Sequence, residues 1–301
     1  MSSCKAQLAP TAHRLAGVEG PPLSMTDPIR SMNLAARIAR EVGDLISNGR
    51  RDGVGHVVTK SSPTDLVTEW DTRAEAMIRS RLSQWRPNDG IVGEEGETIQ
   101  GNTGIDWVVD PIDGTTNFAF GLSGYAVSIA AVDAEGAVAA AVYAPEAREL
   151  FVAARGYGAW LHGEALHCSQ QTSVSLALIG TGFAYDPAVR REQWDVLVDR
   201  AMDLRDIRRI GAASLDLCYV ACGRLDAYFE RNLQPWDMAA GALIAQEAGA
   251  KVTDFAGNPV SRGDILASGP LLHAALVDLL LRPGFMGDHD RALHIGQDGG
   301  R

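Results

Sequence analysis

Two aspartates three residues apart, Asp110 and Asp113, follow the apolar run Trp107-Val108-Val109 and precede Gly114-Thr115-Thr116. The run reads as a short buried strand. Between the acids stands Pro111, which has no N–H to give a sheet ladder and a fixed φ. Gly114-Thr115-Thr116 then opens a turn and a helix, whose free N–H groups favour an anion. Two carboxylates beside an anion cradle, where a strand ends, are what a metal-assisted phosphate site requires. Carboxylates are hard oxygen ligands and suit Mg²⁺ rather than Zn²⁺. An ordinary Asx-rich turn would account for a lone D-x-x-D. It does not account for the whole of residues 107–118 together with further acids elsewhere.

Those further acids are ambiguous one at a time. Asp71 begins a helical stripe, where an acid ordinarily complements the helix dipole by about 0.3–1 kcal/mol. Glu94 stands in Gly93-Glu94-Glu95-Gly96 after the short strand Ile91-Val92, and adjacent acids between glycines are as readily a solvated turn. Glu230 ends a strand over 225–229, seven residues before Asp237, and alone would read as a surface acid. Asp237 lies in the first turn of a helix over 236–248.

Taken together these residues resemble the inositol monophosphatase family of Mg²⁺-dependent, Li⁺-sensitive phosphatases. The resemblance is carried by Asp110-Pro111-Ile112-Asp113-Gly114-Thr115-Thr116-Asn117-Phe118, by Lys60-Ser61-Ser62-Pro63-Thr64-Asp65 through Asp71, by Gly93-Glu94-Glu95, by Gly211-Ala212-Ala213 and by Trp236-Asp237, in that family's order. It spans about residues 28–282 and is strongest toward actinobacterial inositol-1-monophosphatases. It implies an α/β fold with mixed sheets, layered α-β-α-β-α as in the inositol monophosphatase and fructose-1,6-bisphosphatase type. It implies two or three Mg²⁺ ions. Glu94, Asp110 and the backbone carbonyl of Ile112 would hold one, Asp110, Asp113 and Asp237 a second, and a weaker third would sit near Glu94. Water would be positioned by Thr115 with Asp71 behind it, Glu94 also being counted among the catalytic groups. Asp113, Gly114, Thr115, Thr116, Gly211, Ala212, Ala213, Glu230 and Asp237 would meet the substrate, which the resemblance implies to be myo-inositol 1-phosphate. Fructose 1,6-bisphosphate or histidinol phosphate is the alternative substrate, and a regulatory binding protein on the same fold the alternative class. A homodimer is the implied assembly. Trp70 stands where some relatives carry a small residue.

Rival phosphate chemistries fail on spacing. The aspartyl-phosphate pattern D-x-D-G-T would need a nucleophile where Pro111 stands. No G-x-x-x-x-G-K-[ST] loop occurs, and Gly121-Leu122-Ser123-Gly124 is not a G-x-S-x-G elbow.

The elements that must position these groups can be read from periodicity. Asp27-Pro28 opens a helix with its stripe on Ile29, Met32, Ala36, Ala39, Gly43 and Ile46, ending near Gly49. A second stripe on Trp70, Ala74, Met77, Ile78, Leu82 and Trp85 stops before Pro87. Residues 100–104 read as a flexible connection. Hairpins are expected around Ala134-Glu135-Gly136 and Gly156-Tyr157-Gly158. Strands follow over 174–179, 207–210, 251–253 and 265–267. Helices follow on Trp194, Leu197, Val198 and Met202, on Leu215, Leu217, Cys218 and Cys222, and over 270–281. This mixture is incompatible with a purely parallel sheet. Residues 1–26 read as a disordered extension and 283–301 as a flexible tail. The catalytic domain is placed at 27–282, in halves 27–165 and 166–282.

The totals set bounds. The 301 residues include 38 acids against 27 bases, a net charge of −11, which repels the nucleic-acid backbone. Hydrophobic residues at 46 % and charged residues at 22 % fit a globular enzyme. No run approaches eighteen apolar residues, so no membrane span is expected. Cys4, Cys168, Cys218 and Cys222 show no zinc-ligand spacing and read as reduced thiols of a cytoplasmic protein.

Overall fold

The computed structural model describes residues 27–53, 57–59, 66–260 and 263–281. The expectations for residues 1–26, for the loop Lys60-Ser61-Ser62-Pro63-Thr64-Asp65 and for the tail 283–301 lie outside the described residues. The first described helix starts as its capping residues dictate. Asp27 accepts from the Ile29 N–H at 3.1 Å, and α1 (Pro28–Asp52) runs on to Gly53. A short hairpin of β1 (Val57–Thr59) and β2 (Leu66–Thr68) leads into α2 (Glu69–Trp85). Thr68 and Asp71 close a reciprocal cap at the start of that helix, satisfying two N–H groups that the first turn would leave orphaned.

Next comes a seven-stranded sheet laid out in chain order: β3 (Gly90–Gly93), β4 (Asp106–Asp113), β5 (Ala126–Asp133), β6 (Gly136–Ala144), β7 (Glu149–Ala154), β8 (Gly158–Leu161) and β9 (Glu164–Ala165). Only the β3–β4 pair is parallel. Its central strands are buried on both faces, so they read as nearly unbroken apolar runs. In β5, Val127, Ile129 and Ala131 enter the core beneath α1 and α2, while Ala126 and Ala130 enter the core on the opposite side. A period of two thus feeds two cores from one strand.

A second sheet has the order β11-β10-β12-β14-β13. Its strands are β10 (Leu178–Thr181), β11 (Asp206–Arg208), β12 (Ala227–Glu230), β13 (Lys251–Thr253) and β14 (Ile265–Ser268). Between the sheets lie α5 (Ala213–Ala221) and α6 (Pro235–Glu247), whose apolar residues share one core with β5, β6 and β12. Beyond the second sheet, α4 (Pro187–Ala201) and α7 (His273–Leu281) cover a third core. The layers therefore alternate α-β-α-β-α, as expected.

Several elements depart from the pattern reading. Strand β4 runs on to Asp113 rather than stopping at Val109, carrying both acids within it. The run 174–179 is a 3₁₀ turn (Val174–Leu176) followed by β10, because an apolar run without a period does not distinguish a turn from a strand. The last helix begins at His273, not at 270. Residues 100–104 are not loose: Asn102 donates to the Asn88 carbonyl at 2.9 Å, and Ile99 pairs with Ile91 beside them. On α4 only Leu197 of the expected stripe is buried, while Val198 is 66 % and Met202 90 % exposed.

Candidate active site

The site begins where β4 breaks its pairing. Its register against β5 shifts between Asp110 and Asp113, across Pro111. Asp110 folds back to accept from the Ile112 N–H at 2.9 Å. Gly114 then turns the chain with φ +90°, ψ +38°. A Cβ there would meet the Gly124 carbonyl at 2.9 Å and the Gly211 carbonyl at 3.1 Å, so the turn requires glycine for both conformation and space. The short helix α3 (Thr115–Ala119) follows.

Thr115 is buried with its Oγ1 3.1 Å from Asp71 Oδ1 and 3.0 Å from the Ile112 carbonyl. A hydroxyl has one proton, so it donates to one of these at a time. The other oxygen of Asp71 is held by Thr68 through N–H at 2.8 Å and Oγ1 at 2.6 Å. The Trp70 ring packs on the end of α1 instead: its Nε1 donates to the Gly53 carbonyl at 3.2 Å, and the Arg73 guanidinium lies 4.9 Å over its ring.

Asp113 ties the first sheet to helix α5. Helix α5 starts after Ala212, which has no capping side chain. Asp113 supplies the cap, accepting from Ala213 N at 3.2 Å, Ser214 N at 2.7 Å and Ser214 Oγ at 2.5 Å. Asn117 adds a second tie, donating to the Gly124 carbonyl at 2.7 Å and the Ile210 carbonyl at 2.8 Å, just before Gly211. Asp237 caps its own helix by accepting from Gln234 N at 2.7 Å. Glu230, at the end of β12, accepts from the Tyr228 hydroxyl.

These elements enclose a cleft of about 350 Å³. Glu94, Asp110, Ile112, Asp113, Gly114, Thr115, Gly211, Ala213, Glu230 and Asp237 line it, and Asp71 stands behind Thr115. Thr116 and Ala212, both expected to meet substrate, do not line it. Thr116 lies one residue further round α3, a rotation of about 100°, and Ala212 is 1 % exposed at the base of α5.

Electrostatically the described cleft wall is dominated by acids. Burial, then Glu94 and the neighbouring aspartates, pushes Asp110 well above the usual carboxylate range. Asp237 is raised by burial and by Asp113, and Asp113 by burial, opposed by the Ser214 hydrogen bonds. Burial also raises Asp71 and lifts Glu230 to about 7. Arg209 is the one cationic side chain on the described wall. Buried acids that repel one another are stabilised by a cation of higher charge. Four carboxylates and a backbone carbonyl are a donor set for a hard divalent ion. As the side chains stand, no three acidic, His or Cys groups among the described residues are gathered closely enough to hold one. Asp113 and Asp237 are engaged as helix caps, Asp113 Oδ2 taking both Ser214 bonds, yet Asp113 Oδ1, with the Ala213 bond, and Asp237 Oδ2, with the Gln234 bond, each keep a second lone pair.

The pattern model of the inositol monophosphatase family matches residues 29–282. The chain belongs to the inositol monophosphatase family. Membership brings metal-dependent phosphoric monoester hydrolysis with it, the chemistry to which this donor set is suited. The chain is 46 % identical over 245 residues to the inositol-1-monophosphatase SuhB of Mycobacterium tuberculosis, covering 75 % of this chain and 84 % of that one. It is 41 % identical over 243 residues to the Nus factor SuhB of Vibrio cholerae, covering 79 % and 91 %. Among solved structures, the suhB extragenic suppressor protein of Bartonella henselae superposes with a TM-score of 0.79 at 36 % identity, over 84 % of this chain and 98 % of that one.

Some residues of this family member's site were not singled out from its sequence. Thr68 was legible in principle, since Thr68-x-x-Asp71 has the spacing of a capping box. Arg209 and Tyr228 had no such signal, because the fold alone brings them to the cleft. No described helix is long and apolar enough to cross a membrane.

Proposed function

We propose that this chain hydrolyses the phosphate monoester of a polyol, with myo-inositol 1-phosphate as the preferred substrate and Mg²⁺ as the metal. The observation that carries the reading is Asp113, which belongs to the carboxylate cluster and also bridges from the first sheet to the Gly211–Ser214 segment. Metal end and ring end are thereby fixed to one another. Glu94, Asp110, Asp113, Asp237 and the Ile112 carbonyl would hold Mg²⁺. Bound there, the metal would neutralise charge on the phosphate and favour ionisation of water.

The chain's own groups supply the rest. Thr115 Oγ1 can accept from an attacking water while donating to Asp71, whose carboxylate is fixed from behind by Thr68. That arrangement orients the water along one line. Gly211 and Ala213 offer backbone at the ring end of the cleft. Glu230, held by Tyr228, would accept from ring hydroxyls, an interaction worth about 1.5–3 kcal/mol for a charged acceptor.

Substrate choice is tested by phosphate release from inositol 1-phosphate, fructose 1,6-bisphosphate, histidinol phosphate and a small ester without ring hydroxyls. Inositol 1-phosphate should have the highest kcat/KM. Glu230→Ala should lower that value on the order of tenfold to a hundredfold and affect the small ester much less. Equal losses on both substrates would make Glu230 a support of the fold rather than a ring contact. Relatives named Nus factor support a second role beside hydrolysis, and full retention of the carboxylate set favours hydrolysis as the first.

A further inference from the structure

We propose that Glu75 positions Glu94, so that helix α2 sets the distance between the Glu94 loop and the Asp71–Thr115 pair. The inference rests on the reading of Glu94 as a Mg²⁺ ligand. Glu75 lies one turn after Asp71, and residues four apart share a helix face. At one end of that face Asp71 meets Thr115. At the other, Glu75 is buried at 2 % exposure and grips the backbone just beyond Glu94. Its Oε2 accepts from Glu95 N at 2.7 Å and its Oε1 from Gly96 N at 2.8 Å. Arg79, a further turn along, donates from Nε to Glu75 Oε1 at 2.7 Å and from Nη1 to the Glu97 carbonyl at 2.9 Å.

Glu94 is therefore held on both sides. Before it, Gly93 is in strand register with Val109 of β4. After it, two amides are fixed by one carboxylate that also pairs with Arg79, and charge-assisted bonds are about twice as strong as neutral ones. The glycines that bracket the acids have a reason in this contact. A Cβ on Gly93 would come within 2.5–2.8 Å of the Glu75 carboxyl group, and one on Gly96 within 2.9 Å of its Oε1. The pattern Gly93-Glu94-Glu95-Gly96 is the imprint of a carboxylate pressed against the loop from behind.

Glu75→Gln keeps the shape but turns an amide NH₂ toward the Glu95 N–H in one orientation and toward the Gly96 N–H and Arg79 in the other. In the variant, the Mg²⁺ concentration for half-maximal activity should rise about tenfold, while kcat at saturating Mg²⁺ stays within about threefold of the parent. Calorimetry with Mg²⁺ and no substrate should show the same weakening. In EDTA, hydrogen exchange at the Glu95 and Gly96 amides should accelerate. Ile78→Val, buried on the same helix, should lower Tm and leave Mg²⁺ affinity unchanged, which separates positioning from general loss of stability. Parental Mg²⁺ affinity in a folded Glu75→Gln protein would overturn the proposal, as would faster exchange at the two amides with no change in affinity. If Glu75→Gln does not fold, Arg79→Gln must weaken Mg²⁺ binding in the same way, and parental affinity there overturns it. Failure of the phosphatase reading looks different: the parent protein itself would then release no phosphate.

Discussion

At the scale of single residues, Asp113 has two duties with opposite consequences. Asp113→Asn removes an anionic oxygen from the cluster and should lower kcat/KM on the order of a hundredfold or more. It also replaces one acceptor of the α5 cap by a donor facing Ser214, a loss of about 1 kcal/mol. Against this, it takes a buried charge away from Asp110 and Asp237, which favours the metal-free fold. The two terms offset, so Tm in EDTA should shift by only a few degrees, whereas the rise in Tm on adding Mg²⁺ should largely vanish. Thermal melts with and without Mg²⁺ check this, and a full Mg²⁺ response in the variant would remove Asp113 from the ligand set. The acid itself was legible, because residues 107–118 form an uncommon run of strand, acids and turn. Its capping duty was not, because its partners Ala213 and Ser214 lie 100 and 101 residues away and no local spacing encodes that. Thr116 and Ala212 show the converse: a motif names neighbours, and only the helix geometry separates those on the wall from those beside it.

At the scale of elements, the site depends on one strand-to-helix turn and on helix starts. Gly114→Ala would place a side chain at φ +90° against the Gly124 carbonyl, a strain of about 1–3 kcal/mol. Tm should fall by several degrees and kcat/KM should drop for every phosphate ester alike, since α3 and Thr115 shift together. Losses confined to inositol 1-phosphate would contradict this. Helices α1, α2 and α6 were readable because each has capping residues at its start and a stripe or glycine to end it. The β5–β6 and β7–β8 hairpins were readable from their glycine turns. The stretch 174–179 and the face of α4 were not, because one apolar run fits several local structures and because Trp194 stacks on Phe183 at 4.7 Å rather than entering the core.

At the scale of the whole molecule, three cores and five layers place a cluster of buried acids where the two sheets approach. This has a cost visible in pH. Glu230 is raised to about 7 from an ordinary value of 4.5 and Asp237 to about 8 from 3.8, so the folded state holds these protons longer than the unfolded chain, and stability is lost as pH rises from about 4 through 7 and 8. His273 works in the opposite direction at lower pH. It is buried between Thr253 and Ser268 and depressed to about 4 from 6.5, so its contribution grows as pH rises from 4 to 6.5 and is then complete. Above pH 6.5 the acids alone set the trend. Metal-free protein should therefore lose Tm between pH 6.5 and 8, and Mg²⁺ should restore more at pH 8 than at pH 6.5. A metal-free Tm that rises across that window would refute the assignment of the acids as uncompensated. The layered order was legible from the family resemblance and from mixed strand and helix signals, whereas the crossing at Asp113 had to be seen in three dimensions. The central claim is that this cleft hydrolyses a polyol phosphate with Mg²⁺. Its most direct test is phosphate release from inositol 1-phosphate as Mg²⁺ is titrated, for the parent and Asp113→Asn side by side. The account predicts saturable, EDTA-sensitive release by the parent and almost none by the variant. Release that is independent of Mg²⁺, or equal in the two proteins, would contradict it.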